Sequence, residues 1–336
     1  MGGGAPVSVQ TMTKADTAEP EAVLEQILCC AMAGVEIVRV AIPAAGALEG
    51  FSRICAESPL PVVADIHFDY RLAVEAARRG AAKLRINPGN IGADDRLGAV
   101  VEAAGEAGIP IRVGVNAGSL EKDLLERYGA ATAEACSVSA LRSVKRVQAL
   151  GPADIVVSIK SSDVARTVEA NRLFAAETDL PLHLGITEAG FGESGVVKST
   201  AGLAILLADG IGDTIRVSLT DDPVEEVRVG QQILRGLGLR GGPQLVSCPT
   251  CGRCRVDLPA LVRRVAEMLR DVEDDIVVAV MGCEVNGPGE AREADIGAAG
   301  GKGRVALFRH GEILRTVPYE EAAEALRHEI DALLGR

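Results

Sequence analysis

Ser247-Cys248-Pro249-Thr250-Cys251-Gly252-Arg253-Cys254 sets three thiols in one short segment. A fourth stands in Met281-Gly282-Cys283-Glu284-Val285-Asn286-Gly287-Pro288-Gly289-Glu290-Ala291. Thiolates spaced C-x2-C share one tight turn and can ligate a single metal centre, and a ligand from a distant segment closes such a site. Half of the chain's eight cysteines lie between 248 and 283, among glycines that bring backbone close to something inorganic. Three readings fit these residues. One is structural zinc on Cys248, Cys251, Cys254 and Cys283. Another is a 4Fe–4S cluster on the same four. The last is a 4Fe–4S cluster on three cysteines and one non-cysteine ligand. The spacing leaves them open, because C-x2-C-x2-C starts a bacterial ferredoxin run but the C-x3-C-P ending is absent. Glu290 follows a Gly-Pro-Gly loop able to swing it toward Cys283, although a capping or solvated glutamate is the plainer reading. Cys29, Cys30, Cys55 and Cys136 lie in apolar or Ala-rich helical stretches and read as small core residues.

A second concentration of chemistry is spread along the first two thirds of the chain, at the ends of short β-branched runs. Taken in order, those ends carry Gln10, Arg39, Asp65 with His67, and Arg85 with Asn87. They continue with Arg112 and Asn116, Lys160 and Ser161, Thr187 and Glu188, and Arg216 and Ser218. Five of the eight ends bear Arg or Lys, in a chain whose formal net charge is −12. Cations gathered at one place repel each other unless an anion neutralises them. Forked guanidinium groups with amide and hydroxyl donors suit phosphate oxygens. A highly anionic ligand, such as a diphosphate, fits this pattern; the plainer reading pairs each Arg with a neighbouring carboxylate. His67 beside Asp65 suits acid–base work or oxygen binding. Asn87-Pro88-Gly89-Asn90 can offer N–H groups to phosphate, but alone is a turn.

The elements that position these residues follow from periodicity. Strands are expected at 7–10, 36–41, 61–65, 83–87, 109–115, 154–160, 182–187 and 214–219. Helices are expected after each, at 19–33, 46–57, 70–79, 94–107, 138–150, 163–177, 197–208 and 223–237. Eight β-α units of this length point to a (β/α)8 TIM-type barrel, whose strand C-termini surround the active site. The rival, a doubly wound open sheet, lacks its G-x-G-x-x-G after the first strand. Gly238–Pro243 breaks the pattern as a linker. Beyond it a small α+β domain is expected, with a strand into Cys248, a helix at 259–270 and a strand at 275–281. Strands at 304–309 and 312–317 and a helix at 319–334 complete it. The expected division is 1–240 for the barrel and 241–336 for the cysteine domain.

Composition removes several classes. The acidic charge argues against a general nucleic-acid binder, and the absence of Trp with only 2% aromatics leaves no base-stacking platform. No apolar run approaches the ~18 residues of a membrane span. No charged n-region precedes an apolar core, so the expectation is an unexported, cytoplasmic chain with thiols reduced or ligating.

Both halves together resemble one family closely. SCPTCGR and MGCEVNGPGEA look like the two signature segments of the 4-hydroxy-3-methylbut-2-enyl diphosphate synthases, iron–sulfur enzymes of the non-mevalonate isoprenoid pathway. SVQTMTKADT, EIVRVAIP, VVADIHFDYRLA, KLRINPGNIG, IRVGVNAGSL, VVSIKSSD, LHLGITEAG and DGIGDTIRVSLTDDP match its pattern in order. The resemblance implies reductive opening and dehydroxylation of 2-C-methyl-D-erythritol 2,4-cyclodiphosphate, with two electrons passing through a 4Fe–4S cluster. It implies Cys248, Cys251 and Cys283 on three irons and Glu290 on the fourth. A carboxylate oxygen binds a soft iron more weakly than thiolate and can give way to substrate. Arg39, Arg85, Asn87, Arg112, Asn116, Lys160, Arg216 and Ser218 match substrate-binding positions. Asp65, His67 and Glu188 match polar positions around the carbon skeleton. Ferredoxin or flavodoxin is the implied electron donor. The lead-in MGGGAPVSVQ is shorter than the family's, so a plug or edge strand below the barrel is expected to be missing. Cys254 stands where the family has no cysteine. There is no room for a large middle insertion, which matches the two-domain bacterial form. The alternative activity is a zinc-stabilised barrel hydrolase or aldolase acting on a phosphorylated small molecule.

Barrel geometry adds an expectation about assembly. The helix at 223–237 runs back about 22 Å from the mouth, and the 238–243 linker reaches at most about 20 Å. A head-to-tail homodimer, each small domain serving the partner's barrel, satisfies both lengths and agrees with the family resemblance.

Overall fold

A computed structural model describes residues 1–283 and 291–336. The chain divides into two compact units, Met1–Leu237 and Gly238–Arg336. The first unit is the expected barrel. Its strands are β1 (Ser8–Met12), β2 (Ile37–Ala41), β3 (Val62–Asp65), β4 (Lys83–Ile86), β5 (Ile111–Asn116), β6 (Ile155–Lys160), β7 (His183–Leu184) and β8 (Thr214–Ile215). All pair in parallel, in the order β6-β5-β4-β3-β2-β1-β8-β7. A parallel bridge between Val157 and Leu182 joins the two ends of that order.

Every β3, β4 and β6 residue is buried, as expected for strands covered by helices outside and by neighbouring strands inside. Val38, Val40, Leu84, Val113 and Val157 pack outward against helix residues such as Ile27, Phe51, Leu97 and Phe174 in one continuous core. The inward positions of the same strands carry the polar side chains Arg39, Lys83, Arg85, Arg112, Asn116, Ser158 and Lys160, with Ile37 and Val156 among them.

The helices depart from expectation in their starts. α1 (Pro20–Met32), α2 (Leu48–Glu57) and α3 (Tyr70–Arg78) fall where periodicity puts them. The loop after β4 folds into a single turn, α4 (Pro88–Ile91), in which Asn87 Oδ1 accepts from Gly89 N at 3.0 Å. α5 (Asp94–Ala107) follows. An unexpected helix, α6 (Lys122–Tyr128), fills the loop after β5. α7 (Ala133–Leu150) starts five residues earlier than read, because Thr132 Oγ1 caps it by accepting from Ala135 N. α8 (Val164–Ala175), α9 (Gly192–Ala208) and α10 (Pro223–Gly236) complete the ring.

The second unit carries a five-stranded sheet of β9 (Gln244–Ser247), β10 (Val277–Met281), β11 (Ile296–Gly300), β12 (Arg304–Arg309) and β13 (Glu312–Pro318), ordered β13-β12-β11-β10-β9. Helices α11 (Leu258–Met268) and α12 (Ala322–Leu334) cover it through Leu261, Val265, Leu326 and Ile330. β11 is a strand that the sequence reading lacks. Its five residues, Ile296-Gly297-Ala298-Ala299-Gly300, are all buried. A Cβ on Gly297 would stand 2.3 Å from the Phe308 ring, so the small residues make room for their neighbours.

Candidate active site

Alternation along the strands sends one residue set into the barrel. Twelve side chains from this set and from the turns above it line a cavity of about 280 Å³. Arg39, Asp65, His67, Arg85, Arg112, Asn116, Lys160, Arg216 and Ser218 are among them. A neighbouring cavity of about 530 Å³ shares His67, Arg85, Asn116 and Thr187 with it and adds Asn87, Glu188 and Arg166. Each barrel residue singled out by sequence, except Gln10, therefore lines one cavity or the other.

The charge balance is uneven. Arg39, Arg85, Arg112 and Lys160 are buried, and the buried carboxylates beside the five cations are Asp65 and Glu226. Arg85 Nη1 donates to Asp65 Oδ1 at 3.0 Å, Arg39 Nε lies 4.0 Å from Asp65 Oδ2, and Arg216 Nη2 lies 3.2 Å from Glu226. Arg112 is 1% exposed, and its Nε and Nη1 have no hydrogen-bond partner; Arg85 Nε and Arg216 Nε also lack one. Neither Arg112 nor Lys160 forms an ion pair among the described residues. An uncompensated buried charge is expensive. Burial, then the neighbouring guanidinium of Arg112, pushes the Lys160 ammonium well below its usual range. Burial, then Arg39 and Arg85, does the same to Arg112. Burial lowers Arg39 to about 10 despite Asp65. Burial alone would raise the Asp65 carboxyl, but Arg39, Arg85 and Arg112 outweigh it and hold it below the ordinary value. A bound dianion would relieve the penalties on Arg39, Arg112 and Lys160.

Two glycines make room for the cations. A Cβ on Gly185 would lie 2.7 Å from Lys160 Nζ and 2.5 Å from the Arg216 carbonyl oxygen. A Cβ on Gly114 would lie 2.9 Å from Arg85 Nε. His67 Nε2 lies 3.5 Å from Arg85 Nη1. Glu188 holds φ at +53°, a left-handed conformation that costs energy outside glycine and places it at the cavity rim.

The structure corrects one end and adds residues. β1 runs on to Met12, so Met12, and not Gln10, stands at the mouth. Arg39 Nε and Nη2 contact Met12 Sδ at 3.1 and 2.9 Å. Gln10 lies deeper, 1% exposed, with both amide atoms unpartnered. Ser158 joins the cavity two residues before Lys160, a position alternation would have given. Arg166 and Glu226 sit on α8 and α10, where they look like ordinary helix-surface charges in sequence.

The cysteine segments meet at one end of the small sheet. β9 and β10 pair in parallel with Ser247 opposite Val280, so Cys248 directly follows one strand end and Cys283 stands two residues beyond the adjacent one. Gly282 N donates to Cys248 Sγ at 3.2 Å, and Arg255 N donates to Gly282 O at 2.9 Å. Cys254 Sγ donates to Val256 O at 3.2 Å, and a Cβ on Gly282 would stand 2.7 Å from that sulfur. All four cysteines are free thiols. Among the described residues no three His, Cys, Asp or Glu side chains close into a preformed metal cage. Glu290 lies outside the described residues. The donor set, soft thiols on two loops joined at one sheet end, fits a thiophilic group.

Comparison with known proteins agrees along the whole chain. A family model described as the GcpE TIM-barrel domain matches residues 1–231, and one described as the GcpE protein C-terminal domain matches 244–332. The chain is 55% identical over 336 residues to the 4-hydroxy-3-methylbut-2-en-1-yl diphosphate synthase (flavodoxin) of Geobacter sulfurreducens, covering 100% of this chain and 95% of the relative. It is 51% identical over 331 residues to the protein of the same name from Aquifex aeolicus, covering 98% and 93%. Among solved structures, Yersinia pestis dihydropteroate synthase aligns with a TM-score of 0.49 at 15% identity, covering 70% of this chain and 94% of that one. With both halves matched in order and half or more of the residues shared with these near-full-length relatives, the chain belongs to the GcpE family.

Proposed function

We propose that this protein converts 2-C-methyl-D-erythritol 2,4-cyclodiphosphate to 4-hydroxy-3-methylbut-2-enyl diphosphate. The relatives' name gives the product and flavodoxin, the family resemblance implies the cyclic substrate, and the relatives give no support to a zinc-stabilised hydrolase or aldolase. One observation of the structure carries the reading. Arg112 and Lys160 are buried without acidic partners in a cavity that already holds three further cations. Such a cavity binds a compact dianion and releases the strain of its own charges.

The geometry supports the following roles. Arg39, Arg85, Arg112, Lys160 and Arg216 take the phosphate oxygens, while Asn87, Asn116 and Ser218 supply neutral donors. Asp65 aligns Arg39 and Arg85 through its two oxygens. The net change adds two electrons and expels one oxygen as water, so a proton must reach the leaving hydroxyl. His67 and Glu188, both on the cavity wall, are placed to hold that proton. Cys248, Cys251, Cys283 and Glu290 would hold a 4Fe–4S cluster, with Cys254 a bystander. The thiol bond from Cys254 to Val256 O supports that bystander role. When bound, the cluster supplies the two electrons, drawn from flavodoxin or ferredoxin. Each copy's small unit serves the barrel of a second copy in a head-to-tail homodimer. Among the described residues no helix is long and apolar enough to cross a membrane.

The test is substrate binding without reductant. Arg112→Ala should weaken binding by about 1.5–3 kcal/mol, the usual worth of a hydrogen bond to a charged group, with iron content unchanged. Unaltered affinity in that variant would contradict the reading.

A further inference from the structure

The seam between the first and last barrel strands is short. β1 and β8 share only the pairs Ser8 with Thr214 and Val9 with Ile215. β1 continues to Met12, but β8 leaves the ladder after Ile215. Arg216 N donates to Leu184 O at 3.0 Å on the β7 side, but no ladder pair holds Arg216 or Ser218 in register with β1. A guanidinium that must meet an anion to within a few tenths of an ångström needs another anchor.

Glu226, on the first turn of α10, is 1% exposed and occupies that place. Its Oε2 accepts from Thr11 Oγ1 at 2.9 Å, and its Oε1 accepts from Leu219 N at 3.0 Å. Arg216 Nη2 lies 3.2 Å from both oxygens. Lys14 Nζ lies 3.4 Å from Oε1 and also donates to Leu219 O at 3.1 Å. One carboxylate thus ties β1, the chain beyond β8 and the Arg216 side chain together. The helix start favours a negative charge there. Asp222 caps that start, its Oδ1 accepting from Val224 N at 2.8 Å, which fixes the turn bearing Glu226. Its neighbour Glu225 instead pairs with Arg228 on the exposed face. Only one end of the guanidinium is engaged: Arg216 Nε is buried and unpartnered.

We propose that Glu226 is a positioning residue that stitches the short barrel seam and aims Arg216 at the substrate's phosphate. The inference rests on the reading of the mouth given above, and extends it to a residue that touches no substrate itself.

A double-mutant cycle tests it. Binding of the cyclic diphosphate is measured by titration calorimetry, without reductant, on the cluster-loaded wild type, Glu226→Gln, Arg216→Ala and the double variant. Each single change should weaken binding on the order of tenfold or more. The double variant should bind within about twofold of Arg216→Ala, because Glu226 acts through Arg216. A merely structural glutamate would lower affinity again in the Arg216→Ala background. That additive result, or wild-type binding by Glu226→Gln while Arg216→Ala is impaired, overturns the inference and leaves the reading of the mouth intact. Full affinity in both Arg216→Ala and Arg112→Ala would remove the reading itself, and the inference with it. Should Glu226→Gln fail to fold, Glu226→Asp keeps the charge but draws it back by one methylene. The same cycle then applies, with a smaller single-variant loss.

Discussion

At the scale of single residues, the chemistry of the mouth is a surplus of cations that the protein does not neutralise. Arg112 and Lys160 carry most of that surplus, since Asp65 and Glu226 are engaged by Arg39, Arg85 and Arg216. The consequence is measurable through protons. Burial and four surrounding arginines disfavour the Lys160 ammonium in the free protein, and an anion beside it favours the same ammonium. Above the lowered free-state pKa, binding draws a proton onto the protein, and affinity falls as pH rises through that pKa. Calorimetric titrations in buffers of different ionisation enthalpy should show proton uptake, and Lys160→Met should abolish it. Proton release, or affinity that grows with pH, would contradict this assignment of charge. These side chains were legible in the sequence because they recur at strand ends in an acidic chain. Glu226 was not, because a glutamate in a helix's first turn is ordinary and only the fold shows it facing inward.

At the scale of elements, periodicity placed all eight β-α units, since each strand needs an apolar outward face and each helix an apolar inward one. It failed where other forces decide. β7 and β8 keep only two ladder residues each, and beyond them single backbone bonds, Thr187 N to Ser161 O at 3.2 Å and Arg216 N to Leu184 O at 3.0 Å, continue the contact. β11 escaped because a strand of glycine and alanine has no β-branched signature, and its smallness answers to the Phe308 ring. The barrel interior also departs from the usual aliphatic filling. Gln10, Lys83 and His183 are buried beneath the cations, and both ring nitrogens of His183 are unpartnered. Burial, then Arg112, lowers Lys83 to about 7 from an ordinary 10.5. Between those values the unfolded chain holds a proton that the folded chain has released, so stability rises with pH across that window. Lys83→Met should therefore raise the melting temperature most at or below pH ~7, with a gain that shrinks toward pH ~10. A lower melting temperature at or below pH ~7, or a gain that grows toward pH ~10, would contradict a destabilising Lys83 ammonium.

At the scale of the whole molecule, one chain supplies a cationic barrel mouth and a thiol-bearing sheet end on separate compact units. α10 is the last helix of the barrel unit, and the second unit begins at Gly238. Subunit exchange tests the proposed division of labour between two copies. Mixing inactive Arg112→Ala and Cys283→Ser chains should restore activity, because a mixed dimer pairs one intact mouth with one intact thiol set. No recovery, although mixed dimers are shown to form, would place each site within a single chain. The most direct measurement of the central claim is turnover by the protein purified and handled without oxygen. It is given 2-C-methyl-D-erythritol 2,4-cyclodiphosphate and a low-potential reductant, and its iron and labile sulfide are assayed on the same sample. The account predicts about four irons with matching sulfide per chain and stoichiometric 4-hydroxy-3-methylbut-2-enyl diphosphate. Zinc in place of iron and sulfide, or a fully loaded protein that leaves the cyclic diphosphate unchanged, would contradict it.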